Sequence, residues 1–270
     1  MATKERLDIM LVQQGFFDSR QRAQGAIMAG LVRVDGKRID KPGTRVPPDA
    51  DIQVEGQEHP YVSRGGLKLE RAIKELGFDP GGKVIIDIGA STGGFTDCAL
   101  QHGAKRVYAV DVGYAQLAWK LRQDQRVVVM ERTNARYLQA SDFPELADAA
   151  TIDVSFISLA LIFPAAVPLL VPGGEIVALI KPQFEAGREL VGKRGVVREP
   201  NVHRQVINQV WETASELQLG LMGLTFSPIT GPEGNIEFLS LFKQGTADRV
   251  SPADVETVVE LAHKQLGKQG

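Results

Sequence analysis

At 270 residues the chain is long enough to bury a sizeable core and to hold two domains. Its formal charge of -2 and isoelectric point of about 6.1 exclude a global basic field, so any nucleic-acid surface must be local. One cysteine, Cys98, excludes a disulfide framework and a cysteine metal centre, and no metal site is expected. The opening Lys4-Glu5-Arg6 lacks a leader-like apolar run and predicts a cytoplasmic protein.

Taken in chain order, Arg6 to Gln14 places Leu7, Met10 and Leu11 at helical spacing, with Gly15 to stop the helix. Asp18-Ser19 offers an N-cap to a second helix, Arg20 to Ala29, closed by Gly30. Leu31 to Val34, the turn Asp35-Gly36, and Lys37 to Ile39 predict a tight hairpin, and Ile52 to Val54 a further strand. Arg20 and Arg22 stand in a first helical turn, where the macrodipole disfavours cations. With Arg33, Lys37 and Arg38 nearby, the pattern reads either as a phosphate-facing patch or as a solvated face balanced by acids. Gln57 to Pro60 reads as a linker. The next helix runs through Leu76 and carries Lys68 among apolar neighbours; alone, Lys68 reads as a surface lysine covering them with its stem.

The stretch from Val84 to Asp97 organises the rest. Val84 to Ile88 is an apolar, β-branched run suited to a strand buried on both faces of a parallel sheet. Gly89 ends it, a small-residue loop runs through Ala90, Ser91, Thr92, Gly93 and Gly94, and a helix follows from Phe95-Thr96. Strand, glycine turn and helix open a doubly wound α/β domain, whose ligands sit at the carboxyl ends of the strands. Asp87-x-Gly89-x-x-x-Gly93-Gly94 lacks both the lysine of a phosphate loop and the spacing of a dinucleotide fingerprint. A ligand approached closely by backbone, without a phosphate chain to neutralise, fits S-adenosylmethionine. Val107 to Asp111 is the second strand, and Asp111 lies about twenty residues on, where a carboxylate meets ribose hydroxyls.

A helix is expected from Tyr114 to Arg122, then a strand from Val127 to Met130. Asn134 beyond it reads equally as an adenine contact or as a residue satisfying its own turn. Ala150 to Phe156 is the fourth strand, carrying Asp153, and Glu175 to Lys181 the fifth. The uncharged Val154 to Gly174 is broken by Pro164, Pro168 and Pro172, and so reads as core and not as a membrane span. Glu185 to Arg198 reads as a mobile lid or RNA-contacting loop. A helix over 201–217, a closing hairpin over 223–229 and 235–242 that bears Glu237, and an amphipathic helix over 251–265 complete the pattern. Lys68, Asp153, Lys181 and Glu237 thus converge on one cleft. Two lysines and two carboxylates suit methyl transfer to a hydroxyl, which needs a base and a positive field as it loses its proton.

Arg6-Leu-Asp8, Ser19-Arg20 and Ile27-x-x-Gly30-x-Val32-x-Val34-x-Gly36 resemble the small alpha-L RNA-binding domain. Ser63-Arg-Gly-Gly-Leu-Lys68, Asp87 to Thr96, Asp153-Val-Ser-Phe156, Lys181-Pro-Gln-Phe-Glu185 and Asn235-Ile-Glu237 resemble the TlyA (haemolysin A) family of ribosomal RNA methyltransferases, with an FtsJ-like catalytic domain. The resemblance implies an α+β RNA-binding domain over 1–59 and a Rossmann-like class I methyltransferase domain over 60–270. The sheet would be mainly parallel with a terminal antiparallel hairpin. The resemblance also implies a catalytic tetrad Lys68, Asp153, Lys181 and Glu237 with Lys181 as base, S-adenosylmethionine as cofactor, and ribosomal RNA or ribosomal subunits as partners. The cofactor site would run from Asp87 and Gly89 through Thr96 to Asp111 and Asn134, and Arg6 would join the RNA-binding residues. Methyl transfer would go to the 2′-OH of cytidine. Three rivals stand beside it: amino-methylation of a base, although Asp153-Val-Ser-Phe156 lacks the prolines of that motif; a non-enzymatic assembly factor; and a membrane-active haemolysin.

Overall fold

The computed structural model describes residues 4–14, 16, 17, 19–54 and 59–267; Gly15, Asp18 and residues 55–58, which include the first half of the expected linker, lie outside them. The chain order is β1 (Glu5–Arg6), α1 (Leu7–Gln13), α2 (Arg20–Met28), β2 (Val32–Val34), β3 (Lys37–Ile39), β4 (Arg45–Val46), β5 (Ile52–Val54) and α3 (Gly65–Leu76). It continues with β6 (Val84–Ile88), α4 (Gly94–Gln101), β7 (Arg106–Val110), α5 (Trp119–Arg122), β8 (Val127–Met130), β9 (Ala147–Ile152) and α6 (Phe163–Ala166). Last come β10 (Leu170–Ile180), α7 (Pro182–Glu185), α8 (Pro200–Glu216), β11 (Leu219–Phe226), β12 (Phe238–Gln244) and α9 (Pro252–Leu266).

Every residue of β6 is buried, as a strand covered on both faces must be. Val84, Ile86 and Ile88 join the core layer of α6, α8 and α9, while Ile85 faces the layer of α3, α4 and α5. The seven-stranded sheet has the order β11-β12-β10-β9-β6-β7-β8. The strands from β10 to β8 are parallel, whereas β12 pairs antiparallel with both β10 and β11; this closing hairpin runs over 219–226 and 238–244 instead of 223–229 and 235–242, so Glu237 stands just before β12 and not within it. Chain order reverses between β6 and β9, and the crevice at such a switch point is where α/β sheets bind ligands.

The N-terminal unit has its own core of Leu7, Leu11, Ala23, Ile27, Val32 and Ile52. Its hairpin turns through Asp35 (φ 49°) and Gly36 (φ 75°), the left-handed pair of a primed turn. Ser19 caps α2 by accepting from the Arg22 amide. A short pairing of β1 with β4 was not foreseen, because two residues carry no period.

Three further expectations are corrected. The helix over 114–122 begins only at Trp119, because Ala115 is left-handed (φ 57°) and the Ala118 amide donates to Thr92 O. The fourth strand runs Ala147–Ile152 and stops before Asp153, and Phe156 (φ 64°) cannot continue it. The stretch from Glu185 to Arg198 is no free lid along its length: the Glu185 carboxylate accepts from Ser158 Oγ (2.6 Å) and the Leu159 amide (2.8 Å), and Val196 and Val197 are buried. The apolar stretch 154–174 forms short helical turns and the start of β10, and no helix among the described residues is long and apolar enough to cross a membrane.

Asp8 is fully buried and accepts from Arg6 Nε (3.0 Å), Arg20 Nε (2.8 Å) and Gln24 Nε2 (2.7 Å), tying β1, α1 and α2 together. The bond from Arg6 holds its carboxyl well below the usual range despite burial. We expect Asp8→Ala to cost about 1–3 kcal/mol in a urea titration of this unit. In the wild type the Asp8 contribution should be present above the unfolded carboxylate pKa of about 3.9 and fade as pH falls below it.

Candidate active site

The glycine loop is built by close approach. Gly89 (φ 86°) ends β6, and a Cβ there would stand 2.4 Å from the carbonyl oxygen of Asp153, so only glycine lets the ends of β6 and β9 meet. Gly93 (φ 98°) serves packing instead: a Cβ would lie 2.2 Å from Leu121 and 2.8 Å from Leu117. Asp87, 1% exposed, accepts from Thr96 Oγ1 (2.6 Å) and Thr151 Oγ1 (2.8 Å); burial pushes its carboxyl up to about 6 against those hydroxyls. The expected cofactor stretch therefore divides. Gly89, Ala90, Ser91, Thr92, Gly94 and Phe95 line the cleft, whereas Asp87, Gly93 and Thr96 are turned to bracing the loop.

Two adjoining clefts of about 390 and 340 Å³ open at this point and share Gly89, Ser91, Asp153 and Ser155. Each is of small-ligand size, given a range of roughly 300–1,000 Å³. The second has apolar walls from Ile88, Val110, Ala135, Ile157 and Ile162, and among its polar groups Asp111, Gln116, Thr133 and Asn134 stand away from the edge it shares with the first cleft. Asp111 accepts from the amides of Gly113 (2.7 Å) and Ser91 (2.8 Å), and its two oxygens, with about four acceptor sites, keep capacity for vicinal hydroxyls. Asn134 accepts from the Arg136 amide at 3.1 Å, so it satisfies its own turn and also lines the cleft. A largely apolar slot with Asp111 and Asn134 along it, next to a glycine loop without a lysine, fits S-adenosylmethionine.

The first cleft brings together all four residues expected at the catalytic edge. Lys68 is 8% exposed, so its reading as a surface lysine is overturned. Its Nζ donates to Glu237 Oε2 at 2.8 Å and lies 3.6 Å from Asp153 Oδ2. Lys181 Nζ sits 2.5 Å from Asp153 Oδ1 and donates to Ser155 Oγ at 3.0 Å. Burial works against the charge on Asp153, but the Lys181 and Lys68 ammonium groups outweigh it and hold the carboxyl down to about 2. Burial likewise works against the charge on Lys68, and Asp153 and Glu237 outweigh it, so its pKa rises. At neutral pH Asp153 is an anion and Lys68 a cation. The lysines are not equivalent: Lys68 lies between two carboxylates, Lys181 between one carboxylate and a hydroxyl.

Sequence reasoning passed over two residues here. Ser155 joins Lys181, and Phe156 projects at the rim, 89% exposed and left-handed, with its ring 4.9 Å from that of Phe184. Phe156 lines the second cleft, and neither its exposure nor its left-handed backbone is legible in sequence. The N-terminal unit also reaches the site: Val12, Gln13 and Phe17 line the first cleft, and Thr92 Oγ1 donates to Gln13 O at 3.2 Å. Among its cations, Arg6 and Arg20 bind Asp8 yet stay 39% and 52% exposed, and Arg38 donates to Ala29 O. Arg22 and Lys37 are exposed and Arg33 half-buried. Among the described residues no group of His, Cys, Asp or Glu could hold a metal ion.

Comparison with known proteins agrees with this geometry. The model of the FtsJ-like methyltransferase family matches residues 61–244, and that of the S4 domain residues 5–52. The chain is 55% identical over 268 residues to the provisionally named rRNA methyltransferase YqxC of Bacillus subtilis (strain 168), covering 97% of this chain and 95% of that protein. It is 42% identical over 263 residues to the 16S/23S rRNA (cytidine-2′-O)-methyltransferase TlyA of Mycobacterium tuberculosis, covering 97% and 98%. A solved structure of a provisionally named hemolysin from Streptococcus thermophilus superposes with a TM-score of 0.83 at 48% identity, over 99% of this chain and 98% of that one.

Because a side chain at position 89 must displace the Asp153 carbonyl, we expect Gly89→Ala to weaken S-adenosylmethionine binding by at least about tenfold in a calorimetric titration, a left-handed alanine alone costing about 1–3 kcal/mol. Unchanged affinity would mean that the two strand ends can separate without cost to the site.

Proposed function

The chain belongs to the TlyA family of FtsJ-like methyltransferases, and on that premise we propose that it methylates the ribose 2′-OH of cytidine in ribosomal RNA. The observation that carries this reading is the run of buried charges Lys181, Asp153, Lys68 and Glu237 at the junction of the two clefts. An exocyclic amino group, its lone pair delocalised into the base, is activated by acceptors that hold its N–H groups and not by such a lysine-rich array. A ribose hydroxyl does need one.

In this reading Asp111 receives the ribose hydroxyls of the cofactor, the apolar walls and Asn134 take its adenine, and the loop from Gly89 to Thr92 borders its amino-acid end. Bound S-adenosylmethionine supplies an electrophilic methyl group. Lys181 Nζ, once its own proton has passed to solvent, takes the proton of the 2′-hydroxyl as that oxygen becomes a nucleophile, and Asp153, 2.5 Å away, stabilises the ammonium that re-forms. Lys68, held cationic, sets a positive field for the negative charge developing on the oxygen. Glu237 fixes Lys68, with Gln183 Nε2 behind it at 3.4 Å from Oε1. Phe156 offers its face to the target base, since an unstacked nucleotide finds an aromatic surface favourable by about 1–3 kcal/mol.

Residues 1–59 would supply RNA affinity through Arg6, Arg20, Arg22, Arg33, Lys37 and Arg38, and residues 60–270 the chemistry. The partner would be a ribosomal subunit or its free RNA, met in the cytoplasm.

Methyl transfer from labelled S-adenosylmethionine to ribosomal subunits and free rRNA, followed by nucleoside analysis, tests the reading. The expected product is 2′-O-methylcytidine; label on a base would overturn it. Lys181→Met should lower kcat at least about a hundredfold, the usual scale of general-base catalysis, with cofactor and RNA affinities within about twofold. Full activity in that variant would remove Lys181 from the role of base.

A further inference from the structure

We propose that a further cleft beside the active site, walled by Arg22, Arg64, Arg194 and Arg198, holds the phosphodiester backbone of the substrate RNA next to the target nucleotide. The proposal rests on the reading of this protein as an RNA methyltransferase and adds a site to it. The cleft encloses about 560 Å³, and among the described residues its lining holds these four arginines, two of which (Arg22 and Arg64) also have partners of their own, with one carboxylate, the exposed Glu233. Such an excess of positive charge stands out in a chain whose formal charge is -2. Neither Arg194 nor Arg198 forms an ion pair among the described residues. A planar guanidinium fork matches two oxygens of a phosphate, and four of them around one space suit a phosphorylated chain better than a carboxylate.

Two features distinguish this cleft from scattered surface arginines. The first is continuity. Arg64, Thr230, Gly231 and Pro232 line both this cleft and the catalytic one, so a strand with its ribose at Lys181 can carry its neighbouring phosphate into the arginine cleft. Arg22 comes from α2 of the N-terminal unit, so the same strand would touch both parts of the chain. The second is construction. Asn235, 2% exposed, accepts from the Val197 amide through Oδ1 (3.0 Å) and donates from Nδ2 to Gly195 O (2.9 Å). Its own carbonyl accepts from the Gly231 amide at 2.9 Å. Asn235 therefore fastens the 195–197 wall to the 231–234 turn, two residues before Glu237. Arg194 (φ 65°) and Gly195 (φ 73°) are successive left-handed residues in the turn that this bond secures. The arginine wall and the catalytic carboxylate are thus parts of one braced piece.

The test uses the full chain with Arg194 and Arg198 both changed to alanine, and reads binding to an rRNA fragment across a salt series together with turnover. The expected result is a KM for RNA about tenfold higher and a salt slope lower by about 1.4, near 0.7 for each phosphate of a single strand that the variant no longer neutralises. Cofactor affinity, thermal midpoint and kcat at saturating RNA should stay as in the parent, and the variant with both arginines changed to lysine should recover most of the slope. Unchanged RNA affinity and slope in the alanine variant would sink the proposal. So would an unchanged slope accompanied by loss of protection by millimolar inorganic phosphate, which would assign the cleft to a free anion. Binding is read without turnover, so the two ideas separate. An RNA-binding parent that forms no 2′-O-methyl product, with its slope lowered in the variant, removes the methyl-transfer reading and keeps the cleft. Product formation with an unchanged slope removes the cleft alone.

Discussion

Two lysines and two carboxylates in one buried cluster are the constraint on which the site depends. Each would be expensive to bury alone, and stripping one partner from such a cluster costs about 3–5 kcal/mol, because it strands an opposite charge. Here Lys181, Asp153, Lys68 and Glu237 alternate in sign, so each is neutralised by its neighbour. They come from the exit of β10, the exit of β9, the first turns of α3 and the entry to β12. Their mutual attraction therefore also fixes how the helix, the parallel sheet and the antiparallel hairpin meet. Chemistry and architecture share one set of contacts.

The cluster needs the sheet's switch point to exist. Only where chain order reverses do the exits of β6 and β9 lie side by side, and only a glycine at 89 lets them approach closely enough for Asp153 to sit at the loop that borders the cofactor. Asp87 and Thr96 then hold that loop from behind, through bonds hidden in the layer between β6, β9 and α4. The loop's cleft-lining residues are bracketed by structural ones at 87, 93 and 96, and the buried bond between Asp87 and Thr96 ties the two ends of the loop together.

Residues of both parts of the chain line the clefts in which the substrate is proposed to lie. Val12, Gln13 and Phe17 border the catalytic cleft, and Arg22 borders the arginine cleft, so under the proposed reading RNA held by the N-terminal unit would also lie against the methyltransferase surface. The overall charge gives no hint of this. A local field needs only a few cations whose acids lie elsewhere.

The sequence by itself determined the doubly wound domain, the closing hairpin, the glycine loop and the four charged residues, because each rests on a short-range signal: a β-branched run, a turn residue, a motif in order. It could not tell that Lys68 is buried, since a lysine among leucines on a helix reads the same whether its amine meets water or two carboxylates from 85 and 169 residues away. It could not divide Asp87 from Ser91, or give Asn235 its role, because both depend on which way a side chain turns after distant strands pair. The helix expected at 114–122 failed for the same reason: Leu117 and Ala118 are claimed by the glycine loop, and that tertiary contact outweighs local helical preference. Composition, period and motif order are local quantities and are legible along the chain. Burial, charge pairing and cleft continuity arise from contacts between distant segments, and only the folded structure decides them.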